Sequence, residues 1–103
     1  MDNFKAVYKI LTTLEQEMDS AKPDLSAASA DALCVSNERW AKYIEMMYDV
    51  GYIKGVTIKR NICGDAVVDT TNMRITLKGL EYLQENSIMR RIYNVAHGIA
   101  EII

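Results

Sequence analysis

Between Lys54 and Lys78 the chain carries five cations, Lys54, Lys59, Arg60, Arg74 and Lys78, against two carboxylates, Asp65 and Asp69. Lysine and arginine at this density suit contact with phosphate, because each one that reaches a phosphate releases a condensed counterion. The same charges have a plainer use, since a strand decorated with cations resists pairing edge to edge with another chain. A second set, Asn37, Arg39 and Lys42, falls on the exposed side of one helix, and these side chain types hydrogen-bond to base edges in the major groove. Glu38, Glu45 and Asp49 share that side and oppose an approaching polyanion. Glu38 and Lys42 are four residues apart, so an intrahelical pair worth about 0.2–0.5 kcal/mol accounts for both without any ligand.

No other chemistry is spelled out along the chain. Cys34 and Cys63 lack a metal-ligand spacing and His97 is the only histidine, so a zinc site has too few ligands. There is no glycine-rich phosphate loop, no carboxylate pair on an evident cleft and no Ser or Cys nucleophile motif. The expectation is a protein that is not an enzyme and takes no cofactor or metal. The two thiols read as reduced, one or both packed as small hydrophobes, with a Cys34–Cys63 disulfide as the alternative.

The elements that must position these cations begin with the stretch Leu25 to Gly55. At about 100° per residue, Ser36, Trp40, Tyr43, Ile44 and Met47 gather on one side of a helix 36–50, with Ser36 placed to cap its start and Gly51 to end it. Before it, Ser26 can cap a short helix 27–33 whose Ala28, Ala32 and Leu33 permit close crossing. The two-residue break at Cys34–Val35 forces the two helices to meet steeply. An earlier helix, Asn3 to Met18 with Asp2 or Asn3 as cap, puts Phe4, Val7, Tyr8, Leu11, Leu14 and Met18 on one stripe. The polar segment 19–24 holds the only proline, Pro23, and is a connector.

After Gly51, Val56 and Ile58 alternate with Thr57 and Lys59, the period of a strand with one covered face. Met73 to Leu77 supplies the closing strand. Between them, Val67–Val68 belong either to the hairpin or to a longer loop, and a third short pairing near the first helices would complete the sheet. Thr76 can cap a helix 77–84 that Asn86 ends, and Ser87 can cap a last helix reaching about Ile102. On that last helix Ile88, Ile92, Val95, Ile99 and Ile102 recur at helical spacing, with Met89, Tyr93, Ala96, Ala100 and Ile103 widening the stripe. So wide an apolar face suits two partners, its own domain and a second copy in a homodimer.

At 103 residues with half of them hydrophobic, the chain is one domain. Its net charge of −2 and pI near 5.3 argue against a protein that coats nucleic acid or anionic lipid by bulk charge, so any such contact is a local patch. Residues 1–53 hold five basic and nine acidic side chains, residues 54–103 seven and five. The hairpin is therefore the positive end. With no basic leader and no apolar run of about 18 residues, the expectation is a cytoplasmic protein without a membrane partner.

The run DLSAASADALCVSNERWAKYIEMMYDVGYIKGV, followed by ITLKGLEYLQENS and an apolar C-terminal helix, resembles the YjcQ family of small proteins of Firmicutes and their prophages over essentially the whole chain. More broadly, a helix-turn-helix, then G-Y-I, a hairpin and I-T-L-K-G-L-x-Y-L is similar to winged-helix proteins. The resemblance implies a winged-helix fold and carries no activity over to particular residues. Cys34 is a departure, standing at the turn where winged helices frequently place glycine.

The expected fold is α+β, mostly α: one winged helix-turn-helix domain over 1–103, with helix 1 over 1–18, the helix-turn-helix over 26–50, a β-hairpin wing over 52–77 and C-terminal helices over 77–103. The leading functional expectation is a DNA-binding or regulatory module of phage or prophage type. Lys54, Lys59, Arg60 and Arg74 would contact phosphates, and Asn37, Arg39 and Lys42 would face the groove. The rival is a winged helix that docks a protein partner through the acidic outer face of helix 36–50 or through the Ile-rich tail.

Overall fold

A computed structural model describes the backbone of residues 2–96 and the side chains of residues 2–86. Helix α1, Asn3–Gln16, starts where the Asp2 carboxylate accepts from the N–H groups of Phe4, at 2.8 Å, and Lys5. Its buried side is Ala6, Ile10, Leu11, Thr13 and Leu14. That stripe is rotated from the expected one. Phe4 lies about 120° around the helix from Ile10, at the edge of the buried stripe and in the first turn, and is 74 % exposed; Met18 falls beyond the helix end and is exposed as well.

The expected helix 27–33 is two pieces, a 3₁₀ turn at Ser26–Ala28 and helix α2 at Ala30–Leu33. Ser29 separates them because its backbone is extended, which lets its hydroxyl cap α2 by accepting from the Ala32 N–H at 3.2 Å. Ala28, Ala30 and Leu33 are buried, whereas Ala32 faces out and takes no part in the crossing. Helix α3, Asn37–Val50, buries Ala41, Tyr43, Ile44 and Met47 and is capped by Ser36, whose hydroxyl accepts from the Arg39 N–H. Trp40 is half-buried, and its indole N–H donates to the Ala28 carbonyl at 2.7 Å, tying α3 to the 3₁₀ turn.

Helices α2 and α3 end in the same way. After α3, Gly51 at φ +86° donates to the Tyr48 carbonyl and Tyr52 to the Met47 carbonyl, the paired bonds of a Schellman motif. After α2, Cys34 at φ +57° donates to Asp31 and Val35 to Ala30, so a cysteine occupies the left-handed position that glycine fills best. Both Cys34 and Cys63 are free and exposed, so neither is packed as a hydrophobe. The turn geometry that holds Cys34 left-handed also leaves its side chain outside the core.

The hairpin has a base and a tip. Strand β1, Ile53–Lys54, pairs antiparallel with β4, Arg74–Ile75, while β2, Thr57–Arg60, pairs with β3, Ala66–Asp69. Val67–Val68 are thus part of the hairpin, and the closing strand pairs with the two residues after Tyr52 rather than with 56–60. Gly55 makes the break between base and tip: at φ +82°, a Cβ there would lie 2.0 Å from the Asn72 carbonyl oxygen. Among the described residues these two ladders are the whole sheet structure, and no third pairing joins them to the helices.

Helix α4, Leu77–Ala96, is one helix where two were expected. Asn86 does not end it, because its side chain amide donates to the Tyr82 carbonyl one turn back at 2.8 Å and leaves the backbone ladder intact. Thr76 caps it as expected: its hydroxyl accepts from Gly79 N–H and donates to the Gly51 carbonyl, clasping the start of α4 to the end of α3. The core gathers Ile10 and Leu11 of α1, Leu33, Ile44 and Met47 of the helix-turn-helix, and Ile53, Met73 and Ile75 from the hairpin base. The result is an α+β, mostly α architecture compatible with a winged helix. Of the proposed dimer residues, Ile88, Ile92 and Val95 lie on the α4 backbone, but their side chains, like Ile99, Ile102 and His97 altogether, lie outside the described residues.

Candidate nucleic-acid interface

The hairpin registers decide which cations share a surface. In the base, Ile53 stands opposite Ile75 and both are buried, so the alternation of side chains puts Lys54 and Arg74, also directly opposite each other, on the outer face. Like charges facing across an antiparallel pair are destabilising. Among the described residues neither Lys54 nor Arg74 has a carboxylate within ion-pair distance. Their juxtaposition keeps the outer face of the hairpin base cationic, which also discourages pairing edge to edge with another chain.

In the tip, Ile58 pairs with Val68 and Arg60 with Ala66 on the half-buried face that turns toward α3, while Lys59 pairs with Val67 on the exposed face. Consecutive in sequence, Lys59 and Arg60 therefore serve opposite faces of the wing. Arg60 reaches back to α3, its Nη2 lying 3.2 Å from Glu45 Oε1 and donating to Oε2 at 3.3 Å. Lys59 shares its face with Asp69 one diagonal away. The Asp69 carboxyl is held below the usual carboxylate value, first by the hydroxyl and N–H of Thr71 that donate to it and in smaller part by the Lys59 charge. Lys59 is thus partly offset within the wing.

On α3, Asn37 and Lys42 are exposed in the first and second turns. Arg39 is exposed too but engaged, its Nη1 donating to Asn3 Oδ1 at 2.9 Å. The same oxygen accepts from the buried Tyr43 hydroxyl. Asn3 thus ties the N-terminus of α1 to α3 and orients the Arg39 guanidinium. Spacing alone leaves Asn3 a rival to Asp2 for the α1 cap. Because Asp2 takes that role, the Asn3 amide is free for α3, and no periodicity signals such a contact thirty-six residues apart. Glu38 lies in the first turn of α3, where a carboxylate favours the positive end of the helix dipole, and it makes no ion pair with Lys42. Lys78 sits in the first turn of α4 with its stem beside Gly51, a cation at the negative end of α3.

Helix α3, which carries Asn37, Arg39 and Lys42, thus also packs against strands β1 and β3 of the hairpin. Among the described residues no group of three or more His, Cys, Asp or Glu side chains could hold a metal ion, and no helix is long and apolar enough to cross a membrane.

A family model described as YjcQ protein matches residues 8–102. No curated protein and no solved structure matches the chain.

Proposed function

We propose that this chain, which belongs to the YjcQ family, is a non-enzymatic winged-helix module that binds duplex DNA through its backbone phosphates, as a regulatory protein of phage or prophage type. The observation that carries this reading is the Lys54–Arg74 pair, two cations opposed across the wing base without an internal counter-charge among the described residues. Lys59 adds a second contact on the exposed face of the tip, and Asn37, Arg39 and Lys42 are the groove-facing side chains. The acidic Glu38 and Asp49 on the same helix side make phosphate contact, rather than dense base readout, the main source of affinity. Dimerisation through residues 88–103 is part of the proposal and would set two wings on one duplex.

The test is duplex binding followed by fluorescence anisotropy across salt concentrations. Affinity falls steeply with salt. Lys54→Ala with Arg74→Ala weakens binding by a similar factor for unrelated sequences and lowers the salt slope by about one for each phosphate no longer neutralised. Absence of duplex binding at low salt would refute the reading. It would favour docking of a protein partner, to which the exposed Met46 and Val50 beside Asp49 on α3 lend themselves. Sedimentation equilibrium tests the dimer, which Ile92→Asp should convert to monomer.

A further inference from the structure

Glu45 is the least exposed acidic side chain on the outer side of α3, at 22 % relative exposure, and its Oε1 is buried without a hydrogen-bond partner. A half-desolvated carboxylate there would repel a phosphate strand lying along α3, and it would repel it more strongly than a fully hydrated one. Arg60 answers it. The β2–β3 register puts Arg60 on the same side of the hairpin as Ile58, Ala66 and Val68, and its side chain, still 60 % exposed, brings Nη2 to 3.2 Å from Glu45 Oε1 and 3.3 Å from Oε2.

We infer that Arg60 is a positioning residue for the interface and not one of its phosphate contacts. It neutralises Glu45 and holds the wing tip on α3, so that the outer side of α3 and the exposed face of the wing meet a polyanion together. The inference rests on the duplex-binding reading and assigns Arg60 a role within it that Lys54, Lys59 and Arg74 do not share. Those three project away from α3 or from the core and have no carboxylate within ion-pair distance among the described residues.

The experiment compares the loss caused by Arg60→Ala in two backgrounds, wild type and Glu45→Gln. A counter-cation matters only while its carboxylate is present. Arg60→Ala should therefore weaken duplex binding in wild type and change it less than about twofold in the Glu45→Gln background, with the salt slope unaltered there. An equal loss in both backgrounds, accompanied by a slope lower by about one, is the signature of a direct phosphate contact and overturns the inference. So does the absence of any loss in wild type. Thermal unfolding of the same four proteins separates this from the fate of the DNA reading. The two single substitutions should lower Tm by more than the double mutant's deficit allows if they acted independently, with a coupling of about 1–5 °C. If wild type binds no duplex yet the Tm values couple, the DNA reading fails while the wing-to-helix pairing stands; additive Tm shifts refute the pairing.

Discussion

Lys54 on β1 faces Arg74 on β4 directly across the two-residue ladder that closes the base of the wing. Like charges opposite each other in an antiparallel pair are destabilising, whereas opposite charges contribute about 0.2–1 kcal/mol. Lys54→Glu reverses that sign. The variant should gain stability, by up to about 1 kcal/mol or a few degrees in Tm, and lose duplex affinity in the same step. Calorimetry and anisotropy on one preparation check both. A variant that loses stability along with binding would show that Lys54 has a structural role in the ladder.

Cys34 tests the cost of the helix-turn-helix turn. With φ +57° and ψ +40°, it is the single non-glycine residue with positive φ among the described residues. An L-residue in this region costs about 1–2 kcal/mol relative to glycine, partly offset by the greater freedom glycine has when unfolded. Cys34→Gly should therefore raise Tm by about 4–8 °C, and Cys34→Val, whose branched side chain tolerates the left-handed region worst, should lower it. Core packing does not enter the comparison, because Cys34 is exposed and free.

Gly79 reverses the ordinary rule for helices. Replacing glycine by alanine within an exposed helix gains about 1 kcal/mol. Here a Cβ would lie 2.5 Å from the Tyr52 carbonyl oxygen and 2.6 Å from Ile75 Cγ1, because the first turn of α4 rests directly on the β1–β4 base. The carbonyl belongs to the backbone, and Tyr52 also uses it to accept from the Thr76 N–H at 3.0 Å. Gly79→Ala should destabilise by about 1–3 kcal/mol, as overpacking does, with the loss read as a lower urea midpoint at unchanged slope.

How much of this was legible in the chain follows from the range of the forces involved. The burial of Tyr43, Ile44 and Met47, the caps at Ser36, Gly51 and Thr76, and the cationic hairpin all follow from spacing within one or two turns, and local rules suffice for them. The split of 27–33 depended on whether Ser26 or Ser29 would cap, a choice of three residues that periodicity cannot make. Continuity of α4 through Asn86 was hidden because asparagine suits both a helix end and an i−4 backbone bond, and packing of Leu80, Tyr82 and Leu83 on the core favours the latter. The site was harder. The sequence groups Arg60 with Lys59 as phosphate contacts; the strand puts them on opposite faces, and which face turns to α3 is set by the fold of the whole hairpin. The Asn3–Arg39 and Glu45–Arg60 contacts join segments that share no pattern.

Asp69 offers a pH test whose sign can be worked out. Its carboxyl accepts from both the hydroxyl and the N–H of Thr71, at 2.6 and 3.0 Å, and lies beside Lys59, so its folded value is lowered from 3.8. A group whose value is lower when folded binds fewer protons in the native state than in the unfolded one. Its contribution is then complete above the unfolded value and is lost as pH falls through the folded one. The turn that returns β3 to β4 should accordingly weaken in acid, in the range just below pH 4, and not between pH 5 and 8. Because Asp69 is fully exposed, solvent screens the effect and only a shallow slope is expected. Asp69→Asn keeps an acceptor for Thr71 but removes the titration. The wild-type urea midpoint should fall more steeply than the variant's as pH is taken below 4, and the two curves should run parallel above about pH 5. Curves that stay parallel through the acid range would mean that the Thr71 bonds form equally well to the neutral carboxyl, so that the turn owes nothing to the Asp69 charge.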